Sequence, residues 1–132
     1  MNIKERIKEL SKIIERNPEV KELYIERAKL YDMNKEYKKA VEDFRKAYSG
    51  YYACENIIKA CENAKLYKEA EMLYTKAINK DKKNVSKHMD RLYFYIRYGE
   101  IEKAILDCEI ILELSPDDKT ILTLHKILTK NK

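Results

Sequence analysis

Tyr37, Ala40, Phe44 and Ala47 fall at intervals of three, four and three residues, which sets all four on one face of a helix. The same bulky-small-bulky-small order returns at Tyr67, Ala70, Tyr74 and Ala77, and in weaker form at Ile101, Ala104, Cys108 and Ile111. A spacing that recurs with one chemistry marks a repeat protein, in which no unit can bury its own apolar face and each depends on the next. Ala40 to Ala70 is 30 residues and Ala70 to Ala104 is 34. The longer interval is the period of a helix-turn-helix unit, and the shorter lacks four residues, close to one helical turn. That loss belongs at the end of the third helix, because Gly50 follows Ala40 by ten residues whereas Pro116 follows Ala104 by twelve.

The rest of the chain agrees with an all-α fold. Two Gly and two Pro, set against 45% hydrophobic and 39% charged residues, describe long amphipathic segments with few turns, and 132 residues suffice for one domain. Ile3, Ile7, Leu10 and Ile14 form a single stripe over 2–16, ended by Asn17-Pro18, with Pro18 free to enter the first turn of the next helix. Further helices are expected over 19–32, 36–48, 51–63, 66–79, 85–98, 101–114 and 119–130, eight in all. Gly50 and Gly99 suit helix ends, Asp117 or Asp118 can cap the last helix, and Tyr93, Phe94, Tyr95 and Tyr98 crowd too closely to share one face.

The net charge of +5 rests on Lys and Arg interleaved with acids, as in Lys4, Glu5, Arg6, Lys8 and Glu9. That pattern describes solvated helix faces rather than a stripe that tracks phosphates. Cys54, Cys61 and Cys108 sit in apolar patterns with no metal or redox spacing, as buried thiols in a reducing compartment would. The start of the chain is charged where a signal peptide is apolar, and no apolar run is long enough to span a membrane. A soluble, cytoplasmic protein is the expectation.

On these residues the chain resembles the tetratricopeptide repeat family. Tyr24, Ala28, Tyr31, Tyr37, Ala40, Phe44 and Ala47 match its pattern in one unit, and Cys54, Ile58, Cys61, Tyr67, Ala70, Tyr74 and Ala77 in the next. His88, Leu92, Tyr95, Ile101, Ala104, Cys108, Ile111 and the closing Pro116 supply a third. The resemblance implies a right-handed superhelical solenoid of antiparallel helix pairs. Its repeats would lie at 21–50, 51–84 and 85–118, with 2–16 as an N-terminal half-unit or capping helix and 119–130 as a C-terminal capping helix.

The family's use implies a non-catalytic adaptor that holds a partner peptide or helix on the concave surface lined by the first helix of each unit. The expected groove residues are Ile25, Lys29, Tyr52, Asn56, Lys59, Met89, Tyr93 and Arg97. One version of that surface, the two-carboxylate clamp for chaperone C-terminal tails, needs Lys and Asn in the first unit, Asn in the second, and Lys with Arg in the third. Asn56 alone matches, since Ile25, Lys29, Ser86 and Asp90 stand at the other places, so chaperone tails are not expected to bind.

No phosphate loop, metal box or nucleophile-base set appears, and His88 and His125 fall where packing residues belong, so no enzyme activity, metal or cofactor is expected. RNA or other single-stranded nucleic acid, read by Lys with interleaved Tyr, is the alternative. Acids on the same surface and the irregular period speak against it. A further alternative is self-assembly through the end helices. Ile121, Leu122, Leu124, Ile127 and Leu128 cover more than one face of the last helix, and Leu124 with Ile127 either extends the groove, docks another subunit or lies loosely covered.

Overall fold

A computed structural model describes residues 1–48 and 55–130. Among the described residues there are eight helices and no strand: α1 Ile3–Arg16, α2 Lys21–Met33, α3 Tyr37–Ala47, α4 Glu55–Asn63, α5 Tyr67–Lys80, α6 Val85–Arg97, α7 Ile101–Leu114 and α8 Lys119–Lys130. The expected caps at Gly50 and the core position Cys54 lie outside the described residues.

The helix ends have local causes. Asn2 caps α1 by accepting from the Glu5 amide at 2.9 Å, Asn84 caps α6 through the Lys87 amide, and Asp118 accepts from the Ile121 amide at 3.1 Å to cap α8. Pro18 does not enter the first turn of α2. The Val20 amide bonds back to the Asn17 carbonyl at 3.2 Å, which makes a turn of the intervening residues and defers the helix to Lys21.

Three turns, α2–α3, α4–α5 and α6–α7, share one geometry. Lys35, Lys65 and Gly99 take φ of 62°, 62° and 74°. In each, the next amide reaches five residues back, Glu36 to Tyr31, Leu66 to Cys61 and Glu100 to Tyr95, all at 2.8 Å. These are Schellman closures, for which glycine is the unstrained choice, and two of the three use lysine instead.

The chain divides into two compact units, Met1–Leu73 and Tyr74–Lys132, with the boundary inside α5. In the first, α1 packs on α2, α2 on α3 and α3 on α4; in the second, α6 packs on α7 and α7 on α8. The lattice alanines are the tightest points, for Ala28, Ala40, Ala70 and Ala104 have no exposed surface. Around them the first unit buries Ile7, Ile14, Val41, Phe44, Ile57 and Cys61, and the second buries Leu92, Phe94, Cys108, Ile111 and Ile121. Small residues allow close helix approach and bulkier neighbours fill the remaining space, at about 1.5–3 kcal/mol per fully buried large aliphatic or aromatic side chain.

Candidate functional site

The row on α6 is the most developed of the predicted surfaces. Met89, Tyr93 and Arg97 follow one another at i, i+4 and i+8, which aligns them on one helix face. Met89 is half-buried, whereas Tyr93 is 41% exposed and Arg97 is open to solvent. An aromatic cluster supports the row. Phe94 is buried with ring centroids 5.0 Å from Tyr74, 5.6 Å from Tyr95 and 5.1 Å from Tyr98. The Arg97 guanidinium donates to the Tyr74 hydroxyl at 3.3 Å and lies 5.9 Å from the Tyr98 ring centroid, so its position is set by neighbours within the same unit. The four crowded aromatics thus divide their work, with Phe94 and Tyr95 inward and Tyr93 and Tyr98 largely outward.

In the first unit, Ile25 and Lys29 occupy successive turns of α2, the former half-buried and the latter exposed with its ammonium 3.7 Å from Glu26. Asn56 and Lys59 are exposed on α4, three residues apart. Tyr52 lies outside the described residues. On α8, Ile121 and Leu128 are buried, Leu124 is half-buried and Ile127 is 51% exposed.

Beneath these faces lie two buried ion pairs that the sequence reading passes over. Arg27 donates from Nε and Nη2 to both Asp43 carboxylate oxygens at 2.7 and 2.8 Å, and from Nη1 to Ser11 Oγ at 3.1 Å. Arg91 repeats the arrangement in the second unit, with 3.0 and 2.6 Å to Asp107 and 3.1 Å to Thr75 Oγ1. The aspartate side chains are almost wholly buried and the arginine side chains 15% exposed. The hydrogen bond to Asp43 raises the Arg27 pKa against the opposing effect of burial, which keeps the guanidinium charged. Each arginine also borders tyrosine rings, Arg27 with Tyr24 and Tyr31 and Arg91 with Tyr95. The two pairs are the same repeat position, because Arg27 to Asp43 and Arg91 to Asp107 both span 16 residues. At the corresponding places between them stand Ile57 and Leu73, also 16 apart and both apolar. Equal spacing of Arg and Asp in repeat register is the signal that would have exposed these ties.

Chemistry at the titratable groups is sparse. His88 is 3% exposed, and its Nε2 donates to the Lys82 carbonyl at 2.7 Å, fastening α6 to the preceding connection. His125 lies 3.4 Å from a Glu109 carboxylate oxygen. Cys61 and Cys108 are buried free thiols whose pKa burial raises, that of Cys108 to about 11. Among the described residues no group of three or more His, Cys, Asp or Glu is placed to hold a metal ion, and no helix is long and apolar enough to cross a membrane.

The helical order is shared with solved structures. The tetratricopeptide domain of Arabidopsis OM64 matches with a TM-score of 0.55 and 28% sequence identity, over 85% of this chain and 96% of that one. The fold is that of a tetratricopeptide repeat domain. The first tetratricopeptide domain of Spaghetti (RPAP3), bound to the HSP90 peptide SRMEEVD, matches with a TM-score of 0.55 and 18% identity, over 84% of this chain and 91% of that one. The second such domain of human RPAP3, in complex with the HSP70 peptide SGPTIEEVD, matches with a TM-score of 0.53 and 22% identity, over 83% and 98%. No protein-family model matches the chain. In the tetratricopeptide frame, α2, α4 and α6 are the first helices of their pairs, and the predicted contact residues all lie on them or, for Tyr52, just before α4.

Proposed function

We propose that this tetratricopeptide domain is a non-catalytic interaction module that binds partner-protein segments through the exposed faces of its first helices, α2 and α4 within the first unit and, taken by itself, α6 within the second. The observation that carries the reading is the Met89, Tyr93 and Arg97 row. An exposed aromatic beside an arginine already held by Tyr74 and Tyr98 loses little side-chain freedom on binding, and Tyr and Arg are common interface anchors. Lys29, Asn56 and Lys59 add exposed donors in the first unit that suit acceptors of a partner chain. The fold shared with OM64 and RPAP3 supports the same reading, since two of those neighbours carry bound peptides.

A chaperone tail is not the partner we expect. Of the clamp positions only Asn56 carries the required residue, with Ile25, Lys29, Ser86 and Asp90 at the rest, so two terminal carboxylates would meet one amide, one lysine and an opposing acid. Titration calorimetry with a peptide ending in EEVD, beside the same peptide with an amidated C-terminus, tests this, and micromolar binding that requires the free terminal carboxylate would overturn it. The wider reading is tested by affinity capture from native cell extract with the wild-type chain and with Asn56→Ala combined with Tyr93→Ala. Loss of the retained proteins is expected; an unchanged set would overturn the assignment of these faces.

A further inference from the structure

Away from the faces of the first helices, the first unit holds a cavity of about 390 Å³ between two of its Schellman turns, lined by Lys35, Glu36, Tyr37, Lys38, Lys39, Asn63, Ala64 and Lys65. Its lining includes four lysines and one carboxylate. That carboxylate is already engaged, for Glu36 accepts from Asn34 Nδ2 at 2.8 Å and from Lys39 Nζ at 3.1 Å, and these bonds hold its pKa below the usual range. Lys39 is therefore occupied. Lys35, Lys38 and Lys65 are exposed and, among the described residues, their ammonium groups make no hydrogen bond or ion pair, so about three unneutralised positive charges lie at the cavity. Between them the lining is mainly apolar.

The backbone at two of these lysines is strained as well. Lys35 and Lys65 both take a left-handed conformation that costs a residue with a Cβ on the order of 1 kcal/mol, while the matching turn in the second unit uses Gly99. Both residues line the same cavity. Glycine at either place would relieve the strain and discharge the rim.

We infer that this cavity binds an acidic peptide segment of a partner protein, with carboxylates at Lys35, Lys38 and Lys65 and one apolar side chain seated between them. The inference rests on the reading of the chain as a protein-binding module, but on none of the residues that carry that reading. Charge complementarity selects the occupant. An inorganic anion would use the ammonium groups and leave the apolar lining without a partner, and a nucleic-acid strand needs a basic track rather than one rimmed hollow that contains Glu36.

The test is fluorescence anisotropy with a labelled peptide of four Asp and Glu residues around a central Leu, beside the Asn and Gln version of the same peptide. The acidic peptide is expected to bind, with affinity falling as salt rises from about 20 to about 300 mM. Lys35→Gly with Lys65→Gly is expected to weaken binding about 5- to 20-fold, while its urea midpoint rises, so that lost binding cannot be ascribed to lost folding. Lys126→Gln, which removes a charge elsewhere, is expected to leave binding unchanged. Equal binding of the neutral peptide, undiminished affinity in the double glycine variant, or no binding by the wild type would each overturn the site. Displacement by inorganic phosphate as effective as by unlabelled peptide would overturn the peptide as its ligand. Loss of binding in Lys59→Ala but not in the double glycine variant would move the peptide to the α4 face, which overturns the turn site and leaves the proposed function standing.

Discussion

Replacing Asp107 by Leu removes the carboxylate that accepts from Arg91 at 3.0 and 2.6 Å and leaves the guanidinium, on a side chain 15% exposed, beside the Thr75 hydroxyl at 3.1 Å and the Tyr95 ring. Breaking a buried pair by removing one partner costs about 3–5 kcal/mol, because the remaining charge stays desolvated. The residual exposure of Arg91 and its Thr75 contact put the loss at the lower end, about 3 kcal/mol, a large part of a total stability of about 5–15 kcal/mol. The protein itself supplies the compensating change. At the corresponding places of the intervening repeat, Ile57 is 4% exposed and its partner position 16 residues on is Leu73, so an apolar pair is compatible with this packing. Arg91→Ile combined with Asp107→Leu is accordingly expected to lie within about 1 kcal/mol of the wild type, or above it. Urea denaturation followed by helical circular dichroism, on the wild type, both single variants and the double, gives the coupling energy directly, expected at about 2 kcal/mol or more. A loss below about 1 kcal/mol for Asp107→Leu, or a double variant as unstable as the sum of the singles, would refute the account of these ties.

Glycine at the strained turns gives the opposite sign. Lys35→Gly and Lys65→Gly are each expected to raise stability by up to about 1 kcal/mol, whereas Gly99→Ala, which meets nothing within 4 Å and so tests backbone strain alone, is expected to lower it by about 1 kcal/mol. Denaturant midpoints check all three. In a Cys54→Ser background, Cys61 and Cys108 are expected to resist a thiol reagent at pH 8 until the protein unfolds, as mass spectrometry of labelled samples would show. The same burial has a sign in pH. The Cys108 thiol stays neutral to about 11 when folded but ionises near 9 when unfolded, so its contribution is complete below pH 9 and is lost as pH rises toward 11. Cys108→Ala is expected to flatten the fall in urea midpoint over that interval. Asp118→Ala is expected to cost about 1 kcal/mol through loss of the α8 cap, read from the same denaturation curves.

The fold was largely legible because its determinants are local and repeated. Helical spacing of Ala40, Ala70 and Ala104 marked the points of closest approach, and all three are fully buried. Aromatics at the starts of the second helices were harder to place, since Tyr67 keeps 38% of its surface exposed although its spacing matches that of the buried Ala70. Asp43 and Asp107 were illegible for another reason. A charged residue on an otherwise apolar face reads as solvated unless its partner is sought at the right separation, and that partner lies on another helix. Turn geometry was likewise hidden at Lys35 and Lys65, where the sequence offers none of the glycine signal that made Gly99 plain. For the candidate site, repeat register fixes which residues share the exposed faces of α2, α4 and α6, but a ligand leaves no periodic trace. Its chemistry shows only where neighbours pre-position a side chain, as Tyr74 and Tyr98 do for Arg97.

The central claim, partner binding on the first helices, is tested most directly by site-specific photo-crosslinking in native cells. A benzophenone amino acid would replace Tyr93 on α6 in one strain and Leu106, 59% exposed on α7, in another. The account predicts discrete partner adducts from position 93 and none from position 106. Adducts from 106 alone would contradict it.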